Sequence, residues 1–207
     1  MKHWLLIFIY KILLPLPLKL VGIRVRNKKY LNTRQPIIIV ANHNSHLDTM
    51  AILSSLPFTA LFKTHPVATA TYFGKKKWLA FLSNMLVNTV LIQKHDSQGG
   101  SKALEILDST LKKGHSLLLF PEGTRGKPGQ LEAFKTGVGV LLLQNPGVKY
   151  LPVWIEETGN ILPKGALLLK PHTATVCIGQ ARLPIATSVA EITDEVKNAV
   201  LQLGRVE

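Results

Sequence analysis

Four apolar β-branched residues in a row, Ile37-Ile38-Ile39-Val40, stand behind Pro36 and give way within two positions to the polar run Asn42-His43-Asn44-Ser45. A strand without a polar position leaves no face for water, so it belongs inside a largely parallel sheet covered on both sides. Behind it, Asn42, Asn44 and Ser45 are helix-capping types, and Leu47, Met50, Ala51 and Leu53 recur at helical spacing. A buried strand therefore turns directly into a helix, and the polar residues sit at the junction.

The same alternation continues down the chain. Strand patterns fall at 21–26, 89–92, 116–120, 150–155, 167–170 and 173–178, and helical patterns at 78–87, 103–111, 138–144 and 189–203. Strands alternating with helices predict an α/β fold, a single domain with a mostly parallel central sheet flanked by helices. The 207 residues suit one such domain, expected over 21–207.

Residues 1–20 differ in character. Trp4 to Tyr10 is unbroken apolar sequence, Lys11 interrupts it, and Pro15 and Pro17 follow. A spanning helix needs ~20 apolar residues, so the lysine and the prolines predict a stretch too broken to cross a bilayer. The small-residue pattern of a cleavable signal is missing as well. What fits is an apolar helix lying in the membrane interface, with Trp4 and Lys11 as lipid contacts. The mixture of rings and lysines over 72–82 predicts a second contact through Lys75, Lys76, Lys77 and Trp78, although an ordinary surface helix would show the same pattern. Lys and Arg number 25 against 12 Asp and Glu, a formal charge of +13 that suits anionic partners. Cys177 is the only cysteine, which excludes an intramolecular disulfide and paired-cysteine zinc sites.

Two segments could carry chemistry. In Asn42-His43-Asn44-Ser45-His46-Leu47-Asp48, one helical turn can bring the aspartate to the imidazole. The carboxylate would fix the tautomer and leave the other ring nitrogen free to take a proton from a hydroxyl. The same residues also suit a plain helix start, with His43 as cap and Asp48 as a solvated first-turn acid. A metal site at His43, His46 and Asp48 is disfavoured, because the spacing lacks the helical His pair of zinc sites. The second segment, Phe120-Pro121-Glu122-Gly123-Thr124-Arg125-Gly126, follows a buried strand, where α/β sheets present ligands. Arg125 can grip a phosphate with two parallel bonds, Gly123 permits close backbone approach, Thr124 adds a donor, and Lys127 and Lys135 add charge. A Pro-Gly turn with a surface arginine would look the same. The Gly-rich pattern of a nucleotide phosphate loop is absent.

Together the segments resemble the signature of the glycerolipid acyltransferase family typified by bacterial 1-acylglycerol-3-phosphate acyltransferase. That family carries Asn-His-x-x-x-x-Asp, a strand ending in a basic residue, Phe-Pro-Glu-Gly-Thr-Arg, and a strand beginning Val-Pro-Val. Here the second block is Val90-Leu91-Ile92-Gln93-Lys94 and the fourth is Leu151-Pro152-Val153-Trp154-Ile155. Phe134-Lys135-Thr136-Gly137 also resembles a family segment, and the likeness covers roughly residues 35 to 156. Lys94 stands where the family usually has Arg, a point charge in place of a fork.

The resemblance implies that His43 deprotonates a glycerol hydroxyl and Asp48 orients it. It implies further that Glu122 helps place the glycerol, while Arg125 and Lys94, with Gly123 and Thr124, hold the phosphate. The implied reaction moves a fatty acyl group from acyl-CoA or acyl-carrier protein to 1-acyl-sn-glycerol 3-phosphate, giving phosphatidate. No metal and no cofactor beyond the thioester co-substrate is expected, and the implied place is the cytoplasmic face of a bacterial inner membrane. Two rivals remain: the same chemistry on another acceptor, and a noncatalytic basic module binding membrane or nucleic acid. Nucleic acid is not expected as a partner, since no DNA- or RNA-binding motif accompanies the charge.

Overall fold

The structure is a computed structural model that describes residues 2–32, 36–69, 87–92, 99–126, 130–163, 166 and 168–205. Seven strands form one sheet in the order β1-β7-β6-β2-β5-β3-β4. They are β1 Ile23–Arg26, β2 Ile37–Ala41, β3 Thr64–Thr69, β4 Val90–Ile92, β5 Ser116–Leu119, β6 Lys149–Glu156 and β7 Ala174–Ile178. The five strands β2 to β6 run parallel, and β7 lies antiparallel to β6 with β1 parallel beside β7.

Strand β2 is at the centre and buried at every position. Its side chains alternate between two cores, as the uninterrupted apolar run requires. Ile37, Ile39 and Ala41 join a core made with the amino-terminal helices and with α3, His46–Ser55. Ile38 and Val40 join one built from α5 Gly99–Lys112, α6 Gly137–Gln144 and α8 Val189–Leu203. The short helix α4, Phe58–Leu61, leads into β3.

Two expectations fail. Residues 168–170 form no strand, and Leu168 stands 81% exposed. Strand β3 was not expected, because Pro66 interrupts its pattern. It forms nonetheless: Thr64 to Pro66 pair with β5 and Val67 to Thr69 pair with β4, so the proline sits where the ladder changes neighbour. Of the helix expected over 78–87, only Val87 lies within the described residues.

The amino-terminal stretch is less broken than its sequence suggests. Lys2–Ile7 (α1) runs into a π-helical segment, Phe8–Leu13, and then into α2, Pro15–Leu20. Pro15 stands at the start of α2, where a missing N–H costs nothing, and the wider π turn places the Leu14 amide on the Ile9 carbonyl at 2.9 Å. The run His3–Leu20 is 18 residues, long and apolar enough by length and composition to cross a membrane. One face, with Leu6, Tyr10 and Leu18, is buried in the domain core. The other bares Trp4, Phe8, Ile12, Leu16 and Leu20.

Candidate active site

The site grows out of the end of β2. The ladder between β2 and β6 stops at Ala41 opposite Val153, and the Asn42 side chain extends it by one step. Its amide donates to the Ile155 carbonyl and accepts from the Ile155 N–H, both at 2.7 Å. The Asn44 amide donates to the same carbonyl at 2.9 Å. Neither asparagine therefore caps the helix. Ser45 does, in a capping box whose third helical residue is Asp48.

Asp48 is fully buried, yet its carboxylate is well supplied with donors. Oδ2 accepts from the Asn44 N–H at 2.7 Å and the Ser45 N–H at 2.8 Å, and lies 2.9 Å from His43 Nδ1. Oδ1 accepts from the Thr158 hydroxyl at 2.5 Å. An ionised carboxylate only accepts, so His43 Nδ1 is the protonated ring nitrogen and Nε2 is left as a base.

The Phe120–Gly126 loop clasps this histidine. The Phe120 ring stacks on the imidazole with centroids 4.1 Å apart and 23° between planes. The His43 N–H donates to Glu122 Oε1 at 2.8 Å, and the His43 carbonyl accepts from the Gly126 N–H at 2.9 Å. Glu122 Oε2 accepts from the Glu132 N–H at 3.0 Å. Burial raises the Glu122 carboxyl above its usual range, against the pull of those amide bonds. With an amide on each oxygen, Glu122 braces the two motifs against each other. Gly123 has φ +74°, and a Cβ there would collide with the Lys135 ammonium. The turn therefore needs glycine, and it carries a lysine beside it.

Arg125 and Gly126 follow one another, so the guanidinium starts from the strand of loop bonded to His43. Its field is felt at His46 on the first turn of α3: burial first, then the Arg125 charge, holds that imidazole below the ordinary histidine range. His43, His46 and Arg125 thus lie near one another past the carboxyl ends of the parallel strands β2 and β5. Thr124 is exposed. Lys94, Lys127, Lys75, Lys76, Lys77 and Trp78 lie outside the described residues.

Lys11 departs from its expected place as a lipid contact. Its ammonium donates to the Ser54 carbonyl at 2.8 Å and to the Leu56 carbonyl, at the carboxyl end of α3. Burial, and then the Lys28 charge, lower it to about 8. Trp4, by contrast, is 77% exposed.

The acyltransferase family model matches residues 22–156, nearly two thirds of the sequence, including His43, Asp48, Glu122 and Arg125. The chain belongs to the acyltransferase family. Among its relatives, a chloroplastic 1-acyl-sn-glycerol-3-phosphate acyltransferase of Arabidopsis thaliana is 31% identical over 168 residues, 74% of this chain and 45% of the relative. A Chlamydomonas reinhardtii protein of the same name is 29% identical over 80% of this chain and 48% of its own length. One from Pseudomonas aeruginosa is 30% identical over 71% of this chain and 54% of its own. The chain spans about half the length of the curated relatives it matches. The crystal structure of the 1-acyl-sn-glycerophosphate acyltransferase PlsC from Thermotoga maritima shares the fold, with a TM-score of 0.70 and 24% identity over 90% of this chain and 72% of that one.

Within this acyltransferase domain, three supports escaped the sequence reading: Thr158, the Asn42 and Asn44 clamps on Ile155, and the Glu122 brace. Thr158 opens α7, Thr158–Ile161, and nothing in its local pattern marks it. The clamps were visible as polar residues at a strand end, but their partner lies 113 residues away for Asn42.

Proposed function

We propose that the protein transfers a fatty acyl group from an acyl thioester to the free hydroxyl of 1-acyl-sn-glycerol 3-phosphate. The observation that carries this reading is the 2.9 Å bond between His43 Nδ1 and Asp48 Oδ2, held beside the arginine loop. His43 Nε2 takes the proton of the glycerol hydroxyl as its oxygen attacks the thioester carbonyl. The thiolate then leaves and is protonated, and no acyl-enzyme forms. Arg125 receives the phosphate as a bidentate partner, with the Lys135 ammonium beside the same turn. Thiolate is a good leaving group, so one oriented base with backbone donors for the developing oxyanion is chemically sufficient. The thioester, on coenzyme A or a carrier protein, is a co-substrate, and the reaction uses no metal or other cofactor.

The exposed apolar side chains of the amino-terminal helix support attachment to a membrane surface, which for a bacterial enzyme is the cytoplasmic face of the inner membrane. Leu6, Tyr10 and Lys11 hold the opposite face to the domain, which favours a helix lying in the interface over one that spans. Purified protein given acyl-CoA and the lysolipid in detergent should release free thiol, and His43→Ala should abolish the release. Acceptors lacking phosphate should lose their disadvantage in Arg125→Ala; if that variant instead treats all acceptors as wild type does, the phosphate assignment is wrong.

A further inference from the structure

We infer that Thr158 is a positioning residue for the transfer, fixing the rotation of the Asp48 carboxylate so that Oδ2 stays on the His43 imidazole. The inference rests on His43 as the base. Three donors converge on Oδ2, two of them backbone amides from the capping turn. These favour one oxygen but do not stop the carboxylate from turning to share them between both. The Thr158 hydroxyl, 110 residues along the chain, is the partner that holds Oδ1, and its 2.5 Å contact is in the range of charge-assisted O–H···O⁻ bonds. Thr158 and Asp48 are both fully buried, so no solvent can stand in for the hydroxyl without opening the core.

The hydroxyl is held in place from both directions. Three residues before it, Ile155 is gripped by Asn42 and Asn44. Four residues after it, the Leu162 carbonyl accepts from the Ser45 hydroxyl at 3.0 Å. Between them Glu157 adopts φ +62°, a left-handed turn that swings the chain from β6 into α7. The whole β6–α7 junction is thus tied to the turn that carries His43 and Asp48.

Thr158→Val removes the donor and keeps the shape, and Thr158→Ser keeps the donor. Full-length protein in mixed micelles is assayed for thiol release over a range of pH, with thermal melting as the check on folding. The expected result for Thr158→Val is a loss in kcat of about tenfold or more with both KM values within about twofold, as for an interaction made by the base and not by the substrates. Thr158→Ser should return kcat to within about threefold of wild type. Wild-type kcat in Thr158→Val, or a loss that serine does not restore, overturns the inference. Should the valine protein fail to fold, Thr158→Cys, a weak donor, must fall between serine and wild type on one side and inactivity on the other. His43→Ala is run alongside. Activity in that variant removes the base itself, whereas an inactive His43→Ala with an unaffected Thr158→Val removes only the role of Thr158.

Discussion

Glu122 Oε1 accepts the backbone N–H of His43 at 2.8 Å, so the acid of the arginine loop is bonded to the main chain of the proposed base. Its other oxygen takes the Glu132 N–H. One carboxylate thereby sets the spacing between His43 and the loop that bears Arg125.

Replacing Glu122 by Ala strands both amides. Each unsatisfied N–H costs about 1–3 kcal/mol, so about 2–4 kcal/mol of stability should be lost in this partly buried place, a fall in Tm of roughly 5–15 °C. The acceptor KM should stay within about twofold of wild type while kcat drops. A raised acceptor KM with an unchanged Tm would mean that Glu122 binds the glycerol after all.

Asp48→Asn meets four donors with a group that can accept through one oxygen only. The new NH2 then faces either the imidazole and the two backbone amides or the Thr158 hydroxyl, which loses its acceptor. Thiol release should fall on the order of 10³–10⁴-fold, as expected when an orienting carboxylate is lost and the tautomer is wrong. Chemical denaturation should show a stability loss of about 2 kcal/mol or more, because a buried donor goes unpaired.

Lys11→Met keeps the apolar stem and removes the ammonium from the Ser54 and Leu56 carbonyls. Hydrogen bonds from charged groups contribute about 1.5–3 kcal/mol, so Tm should fall by roughly 3–8 °C. Binding to anionic vesicles should change little, since this cation serves the end of α3. Phe8→Asp should do the reverse, weakening vesicle binding with a small change in Tm.

His46 offers a pH test. Its folded proton affinity is lowered by burial and by the Arg125 charge, so the unfolded chain binds the extra proton more readily. In the window from the unperturbed histidine range downward, stability rises with pH and is lost on acidification. His46→Gln should therefore narrow the difference in Tm between pH 7.5 and pH 5.5. An unchanged difference would mean that folding does not lower the proton affinity of His46.

Local pattern alone determined most of the secondary structure and picked out His43 and Asp48 as candidates. The four β-branched residues of β2 had to be buried on two faces, and Ser45 with Asp48 had to start a helix, because side-chain periodicity and capping act over a few residues. Long-range contacts decided the rest. Pro66 stays in a strand because β3 changes neighbour there, and the amino-terminal helix continues past Lys11 because the ammonium finds carbonyls 43 and 45 residues away. Glu122 reaches His43 across 79 positions and Thr158 reaches Asp48 across 110. A carboxylate or hydroxyl has the same donors and acceptors wherever it falls in a chain; what it bonds is settled only when the sheet brings the ends of β2, β5 and β6 side by side.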